Sequence, residues 1–273
     1  MSVPNELVDR FALLRNRARF DVDRGRFLHD EAIVEAKDRL SMVNKAFTDV
    51  ALVTGHPDLW QPAFPQATLI NDAETLELLP KTFDLVIHAM ALHWSNDPLG
   101  QMIQCNRALR PDGLFLGVMM GGETLIELRS AFAKAETKVV GGLSPRVLPM
   151  SDIRDLGELL QRAGFAMPVV DSILLPASYE TPLSLMRDLR AMGEANAQTG
   201  RRKHFTARSL IEETTKGYFQ NYSKNDNRVG ATFEQLWLAG WAPSAAQPKA
   251  LRPGSAKMHL SEVLKVAGTP TKY

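Results

Sequence analysis

The stretch Asp72–Gly117, DAETLELLPKTFDLVIHAMALHWSNDPLGQMIQCNRALRPDGLFLG, decides the fold. It opens with an acidic turn. Residues 83–89 (FDLVIHA) are a continuous apolar run, as expected of a strand buried on both faces. A polar loop follows, and Asp97 with Pro98 opens an amphipathic helix predicted over 97–109. Pro111-Asp112-Gly113 marks the helix end, and 114–119 is a further strand. Strand, helix and strand in that order form half of a nucleotide-binding α/β domain.

Upstream, residues 5–19 place Leu7, Phe11, Leu14 and Ala18 at helical spacing, with an arginine-rich outer face. Residues 28–47 repeat the period through Ile33, Ala36, Leu40, Val43 and Phe47. Val50–Thr54 reads as the first parallel strand and ends at Gly55. Pro57, Pro62 and Pro65 leave room for at most a short turn of helix before the strand at 68–70. Downstream, helices are expected over 123–139, 153–163, 182–197 and 206–222, with strands over 169–175 and 231–241. The helical pair near 178–228 reads as an insertion or lid. The sequence therefore divides into N-terminal helices (1–48) packing on the core, an α/β domain (49–241) and a proline-punctuated tail (242–273).

The chain has 273 residues, 45% hydrophobic and 23% charged, with a net charge of +1. That is long enough for one large α/β domain, and it gives no overall field for nucleic acid. The arginines crowd positions 10, 15, 17, 19, 24 and 26, and a second group is Arg201, Arg202, Lys203 and Arg208. They read as a solvated face or as a docking patch for an acidic partner. The single cysteine, Cys105, falls in a helical pattern as buried filler and excludes an internal disulfide. No apolar run approaches the ~20 residues of a membrane span, and a cytoplasmic location is expected.

In open α/β sheets ligands sit beyond the carboxyl ends of the strands. The candidates there are Gly55 and His56, Asp72 and Ala73, and the segment from His88 and Ala89 to His93 and Trp94. A cofactor loop after the first strand needs several glycines, so that backbone N–H groups can approach the ligand. Thr54-Gly55-His56-Pro57 supplies one. Gly55 is either a plain strand-ending turn or the remnant of such a loop. Asp72 is either a ligand carboxylate or the N-cap of a helix over 73–79. The strand before it is second or third in the fold. His93 is a packed loop histidine or a proton donor and acceptor, with Trp94 as a pocket wall. His88 belongs to the core. The spacings of metal sites, serine hydrolases, P-loops and the G-x-G-x-x-G of nicotinamide enzymes are absent.

These residues resemble a family. Asp72-Ala73-Glu74, Phe83-Asp84-Leu85-Val86 and Arg107–Gly113 look like the second half of class I S-adenosylmethionine-dependent methyltransferases of the type 11 kind. Ala91–Asp97, Gly121–Arg129, Gly142–Arg146 and Asp155–Phe165 narrow the likeness to bacterial relatives of the mitochondrial respiratory complex I assembly factor. That factor has a methyltransferase fold and is also regarded as an arginine hydroxylase. The carrier-protein methyltransferase of biotin synthesis is a more distant likeness. The resemblance implies a Rossmann-like class I methyltransferase sheet with helices on both faces, shortened after the first strand. It implies S-adenosylmethionine as cofactor, near Gly55, His56, Asp72, Ala73, His88 and Ala89, with His93 and Trp94 on the acceptor side. It also implies a respiratory-complex subunit or other protein client as partner. The family's first-strand motif reads Asp-Leu-Gly-x-Gly-x-Gly, and here Ala51–Pro57 departs from it. The following helix, second strand and ribose-binding acid give way to residues 58–67, which makes 68–72 the third strand of the alignment. A non-catalytic assembly protein that kept the fold and lost the cofactor is the competing reading.

Overall fold

The computed structural model describes residues 6–224 and 226–248. In chain order the elements are α1 (Arg10–Arg17), α2 (Val22–Gly25), α3 (Phe27–Met42), β1 (Val50–Thr54), α4 (Pro57–Trp60), β2 (Thr68–Asn71) and β3 (Phe83–Ala89). They continue as α5 (Pro98–Ala108), β4 (Leu109–Met120), α6 (Ile126–Val139), α7 (Ile153–Arg162), β5 (Ala166–Tyr179), α8 (Pro182–Ala191), α9 (Arg208–Tyr222) and β6 (Val229–Trp241). The six strands form one sheet in the order β2-β1-β3-β4-β6-β5. β2, β1, β3 and β4 are mutually parallel, whereas β6 runs antiparallel to both β4 and β5.

Alternation along the strands splits the core in two. Leu52 of β1, Leu85 and Ile87 of β3, and Leu116 and Val118 of β4 face one cluster, together with Trp60, Leu128 and Trp237. Ala51, Val53, Val86 and Phe115 face the other, against Met102 and Cys105 of α5 and Leu156 and Leu160 of α7. Each fully buried aliphatic side chain contributes about 1.5–3 kcal/mol. Both faces of β1 and β3 are covered, so their sequences lack polar alternation.

The helix starts have local causes. The Asp97 carboxylate accepts from the Gly100 N–H (2.8 Å), and Pro98 occupies the first helical position of α5. The Asp152 and Thr181 side chains cap α7 and α8 in the same way. Gly164 closes the chain after α7 at φ +85°, a conformation that glycine adopts without steric cost.

Several expectations change. The helix expected to run to Phe47 stops at Met42, with Val43 already extended. The strand expected at 114–119 begins at Leu109, directly after α5 ends at Ala108, so Pro111-Asp112-Gly113 follows the helix end but already lies within β4. α8 ends at Ala191, which leaves 192–197 as irregular chain. The largest change is α1. Leu7, Phe11 and Leu14 were expected to pack inward, but they are 45%, 88% and 54% exposed. Ala12, Leu13, Asn16 and Arg17 are buried instead. The helix is turned this way because polar partners hold it: Asn16 Nδ2 donates to the Ala195 carbonyl at 2.8 Å, and Arg17 reaches a buried carboxylate. Of the tail expected at 242–273, residues 249–273 lie outside the described residues.

Candidate functional site

The carboxyl ends of β1, β2, β3 and β4 converge on one edge of the sheet, and the loops leaving them form the site. β2 pairs directly with β1, from Ala51 opposite Thr68 to Thr54 opposite Asn71. No strand intervenes, so Asp72 emerges beside Gly55.

Asp72 caps no helix, since residues 72–79 are irregular. Its carboxylate accepts from Arg17 Nη1 at 2.7 Å, and its carbonyl accepts from Arg10 Nη2 at 2.7 Å. The Arg17 and Asp72 side chains are only 6% and 7% exposed. Burial pushes the Asp72 carboxyl up, but the Arg17 and Arg10 guanidiniums outweigh it and hold the group below the usual carboxylate range. The Arg17 guanidinium lies on Gly55, where a Cβ would collide with Nη1 and Cζ. Glycine is needed here because the chain's own arginine approaches the backbone so closely. Arg17 Nε and Nη2 have no hydrogen-bond partner among the described residues.

His56 precedes α4, and its N–H donates to Thr54 Oγ1 at 3.1 Å. Its ring lies 4.8 Å from that of Phe20 and 4.6 Å from that of His29. His29 Nδ1 accepts from Trp60 Nε1 at 3.0 Å, which requires a neutral imidazole. Burial, reinforced by the neighbouring cations, lowers His29 to about 3 and His56 to about 4.

His88 lies in β3 with no exposed surface. Its Nε2 donates to Gln101 Oε1 at 2.8 Å, and Gln101 Nε2 donates in turn to the Ala73 carbonyl at 2.9 Å. This relay pins the loop after β2 to α5. Ala73 itself is exposed, and Ala89 is buried at the end of β3. Met90 follows at φ +51°, a left-handed conformation that costs energy for a residue with a side chain. His93 and Trp94 occupy the short turn Leu92–Trp94. His93 Nδ1 accepts from the Met120 N–H at 3.4 Å, and Nε2 faces Glu194 Oε2 at 3.4 Å. Trp94 Nε1 donates to the same Glu194 oxygen at 2.7 Å. Burial raises the Glu194 carboxyl, but the His93 hydrogen bond and the Arg17 guanidinium lower it to about 2, so it is ionised at neutral pH.

Beside Trp94 and Glu194 opens a chamber of about 240 Å³. Met120, Leu128, Phe132 and Met186 wall it, with Arg146 and Arg190 as its cations. Arg146 is already engaged by Glu136 at 2.8 Å. Among the candidate residues, Gly55, His56 and Asp72 come together under α1, and His93 and Trp94 come together at the chamber. His88 sits beneath both groups. Arg17 and Glu194 were missed. One was counted with a solvated arginine face and the other with a helix, and no local spacing marks either. Among the described residues no group of three or more His, Cys, Asp or Glu side chains is placed to hold a metal ion.

The methyltransferase domain family matches residues 43–117, which carry β1 to β4 of this sheet. The chain is 38% identical to arginine-hydroxylase NDUFAF5, mitochondrial, of Danio rerio over 74% of its own length and 63% of that protein. Residues 43–117 thus carry a methyltransferase domain, and the likeness to this relative extends beyond it. It is also 34% identical to the malonyl-[acyl-carrier protein] O-methyltransferase of Laribacter hongkongensis, over 69% of this chain and 61% of that one. The chain thus spans about three fifths of the length of these relatives. In fold it is similar to the YcgJ protein of Bacillus subtilis, with a TM-score of 0.51 at 11% identity, covering 78% of this chain and 99% of that one. No helix among the described residues is long and apolar enough to cross a membrane.

S-adenosylmethionine is the cofactor that a methyltransferase domain implies. The residues at the end of β1 do not fit it. A nucleoside cofactor needs open backbone after the first strand and a free carboxylate after the next. Here Gly55 carries the Arg17 guanidinium, and Asp72 is taken by Arg17 and Arg10.

Proposed function

We propose that this chain is an S-adenosylmethionine methyltransferase-like protein that receives a group carried by a protein in the chamber beside Trp94 and Glu194. The observation that carries the reading is the chamber itself. It is apolar along its walls, bordered by one ionised carboxylate, and adjoins the carboxyl ends of β3 and β4, where this fold places its chemistry. The names of the relatives support a protein-borne group: one acts on a malonyl group of a carrier protein, the other is an arginine hydroxylase. In this reading His93 and Trp94 orient Glu194 on the acceptor side. Residues 1–48 are the helices that pack on the core, 49–241 the working domain with its helical insertion at 178–228, and 242–273 a tail. The client is a respiratory-complex subunit or another protein met in the cytoplasm.

The test is capture of the client by the tagged chain, followed by mass spectrometry of the client for a methyl or hydroxyl increment. Leu128→Trp fills the chamber and is expected to abolish capture while leaving the far-ultraviolet circular dichroism unchanged. Undiminished capture by that variant would sink the reading. A second reading, binding of the client without turnover, is favoured by Arg17 over Gly55. It predicts capture with no mass increment.

A further inference from the structure

α1 is held in place along its whole length. Before it, the Val8 N–H donates to Asn96 Oδ1 at 2.8 Å, and the Asp9 N–H donates to the Ala197 carbonyl at 2.8 Å. Arg201 Nη2 donates to Asp9 Oδ2 at 2.8 Å, and Asn16 holds the Ala195 carbonyl. At the far end, the Phe20 and Asp21 N–H groups donate to the Arg17 and Ala191 carbonyls. The helix is therefore clamped between the loop after β3 and the segment after α8. Its orientation leaves Phe11 in water and drives Arg17 inward. An arrangement that exposes a phenylalanine and buries an arginine needs a strong polar partner, and Asp72 is that partner.

We propose that the nucleoside cleft of this chain has become a sealed ion-pair core, in which Arg17 of α1 lies on Gly55 with Asp72 as its counter-ion, and that the chain takes up no S-adenosylmethionine. Three observations converge. The one glycine left from the cofactor loop is in contact with the guanidinium. Both the carboxylate and the carbonyl of Asp72 are consumed by arginines. The segment 56–67, which would have to enclose the ligand, is drawn into packing by the His56 ring against Phe20 and His29 and by the buried Trp60. Charge acts in the same direction, because the cofactor's sulfonium would meet a fixed guanidinium, and like charges repel. The client chamber is separate, since Arg17 is not among the residues that line it.

The experiment uses the full chain. Titration calorimetry and thermal melts are run with S-adenosylmethionine and with S-adenosylhomocysteine, which lacks the sulfonium charge, both at millimolar concentration. Neither ligand is expected to give saturable heat or move the melting temperature. In parallel, Arg17→Met is expected to melt well below wild type, because it leaves Asp72 buried with a weaker counter-charge. Arg17→Met combined with Asp72→Leu is expected to recover most of the loss. If Arg17→Met alone does not fold, recovery of folding in the double variant gives the same answer. Saturable heat with either nucleoside overturns the proposal, and so does an Arg17→Met protein that melts like wild type. Client capture by the same wild-type preparation shows separately whether the chamber reading holds.

Discussion

His29 and His56 pack with their ring centres 4.6 Å apart, tilted at 56°, and stay neutral where free histidine would titrate. Their folded values, about 3 and about 4, lie below the ordinary value near 6.5. The unfolded chain therefore binds more protons between those limits, and stability rises with pH. The stability these two groups contribute is fully present above pH ~6.5 and is lost as pH falls toward 4. Urea unfolding at pH 5 is expected to give a stability lower than at pH 7 by on the order of 2 kcal/mol for each of the two histidines. His56→Phe is expected to flatten that slope. Gly55→Ala places a methyl group against the Arg17 guanidinium and is expected to destabilise by about 1–3 kcal/mol, read in the same titration. At this scale the sequence singled out Gly55, His56 and Asp72 because each follows a strand. It could not show Arg17, since an arginine among arginines looks alike whether it faces water or a carboxylate far along the chain.

Most helices and all six strands were legible as elements, because apolar runs, prolines and caps act locally. Pro98 after Asp97 and Gly164 after α7 are such signals. The facing of α1 was not legible. Leu7, Phe11 and Leu14 have ideal spacing for a buried stripe, yet the helix turns the other side inward. Two substitutions separate the faces. Phe11→Glu is expected to change stability by less than about 0.5 kcal/mol. Leu13→Ala, at a position with no exposed surface, is expected to cost about 2–5 kcal/mol. Equal losses for the two would contradict the observed orientation. The place of β2 was likewise open in the sequence. Hydrogen bonding settles it: with only residues 56–67 between the strands, the chain returns to the nearest free edge of the sheet, which is β1.

One sheet separates the two larger clusters of buried side chains, and every central strand contributes to both. Neither cluster can open without breaking that sheet, so the two are expected to melt together. Leu52→Ala on one side and Leu156→Ala on the other are each expected to lower stability by about 2–5 kcal/mol. Both variants should keep a single transition in which the near- and far-ultraviolet signals coincide. Two separated transitions in either variant would contradict a shared core. The sequence by itself determined the α/β class, the strands, the shortened loop after β1 and the likeness to methyltransferases, because periodicity, turn chemistry and motif spacing are written in neighbouring residues. Only the tertiary structure decided that Arg17 covers Gly55, that Asp72 is its counter-ion and that Glu194 meets Trp94. Those contacts join residues 38 and more positions apart, and no local spacing records which distant charge a buried carboxylate will find.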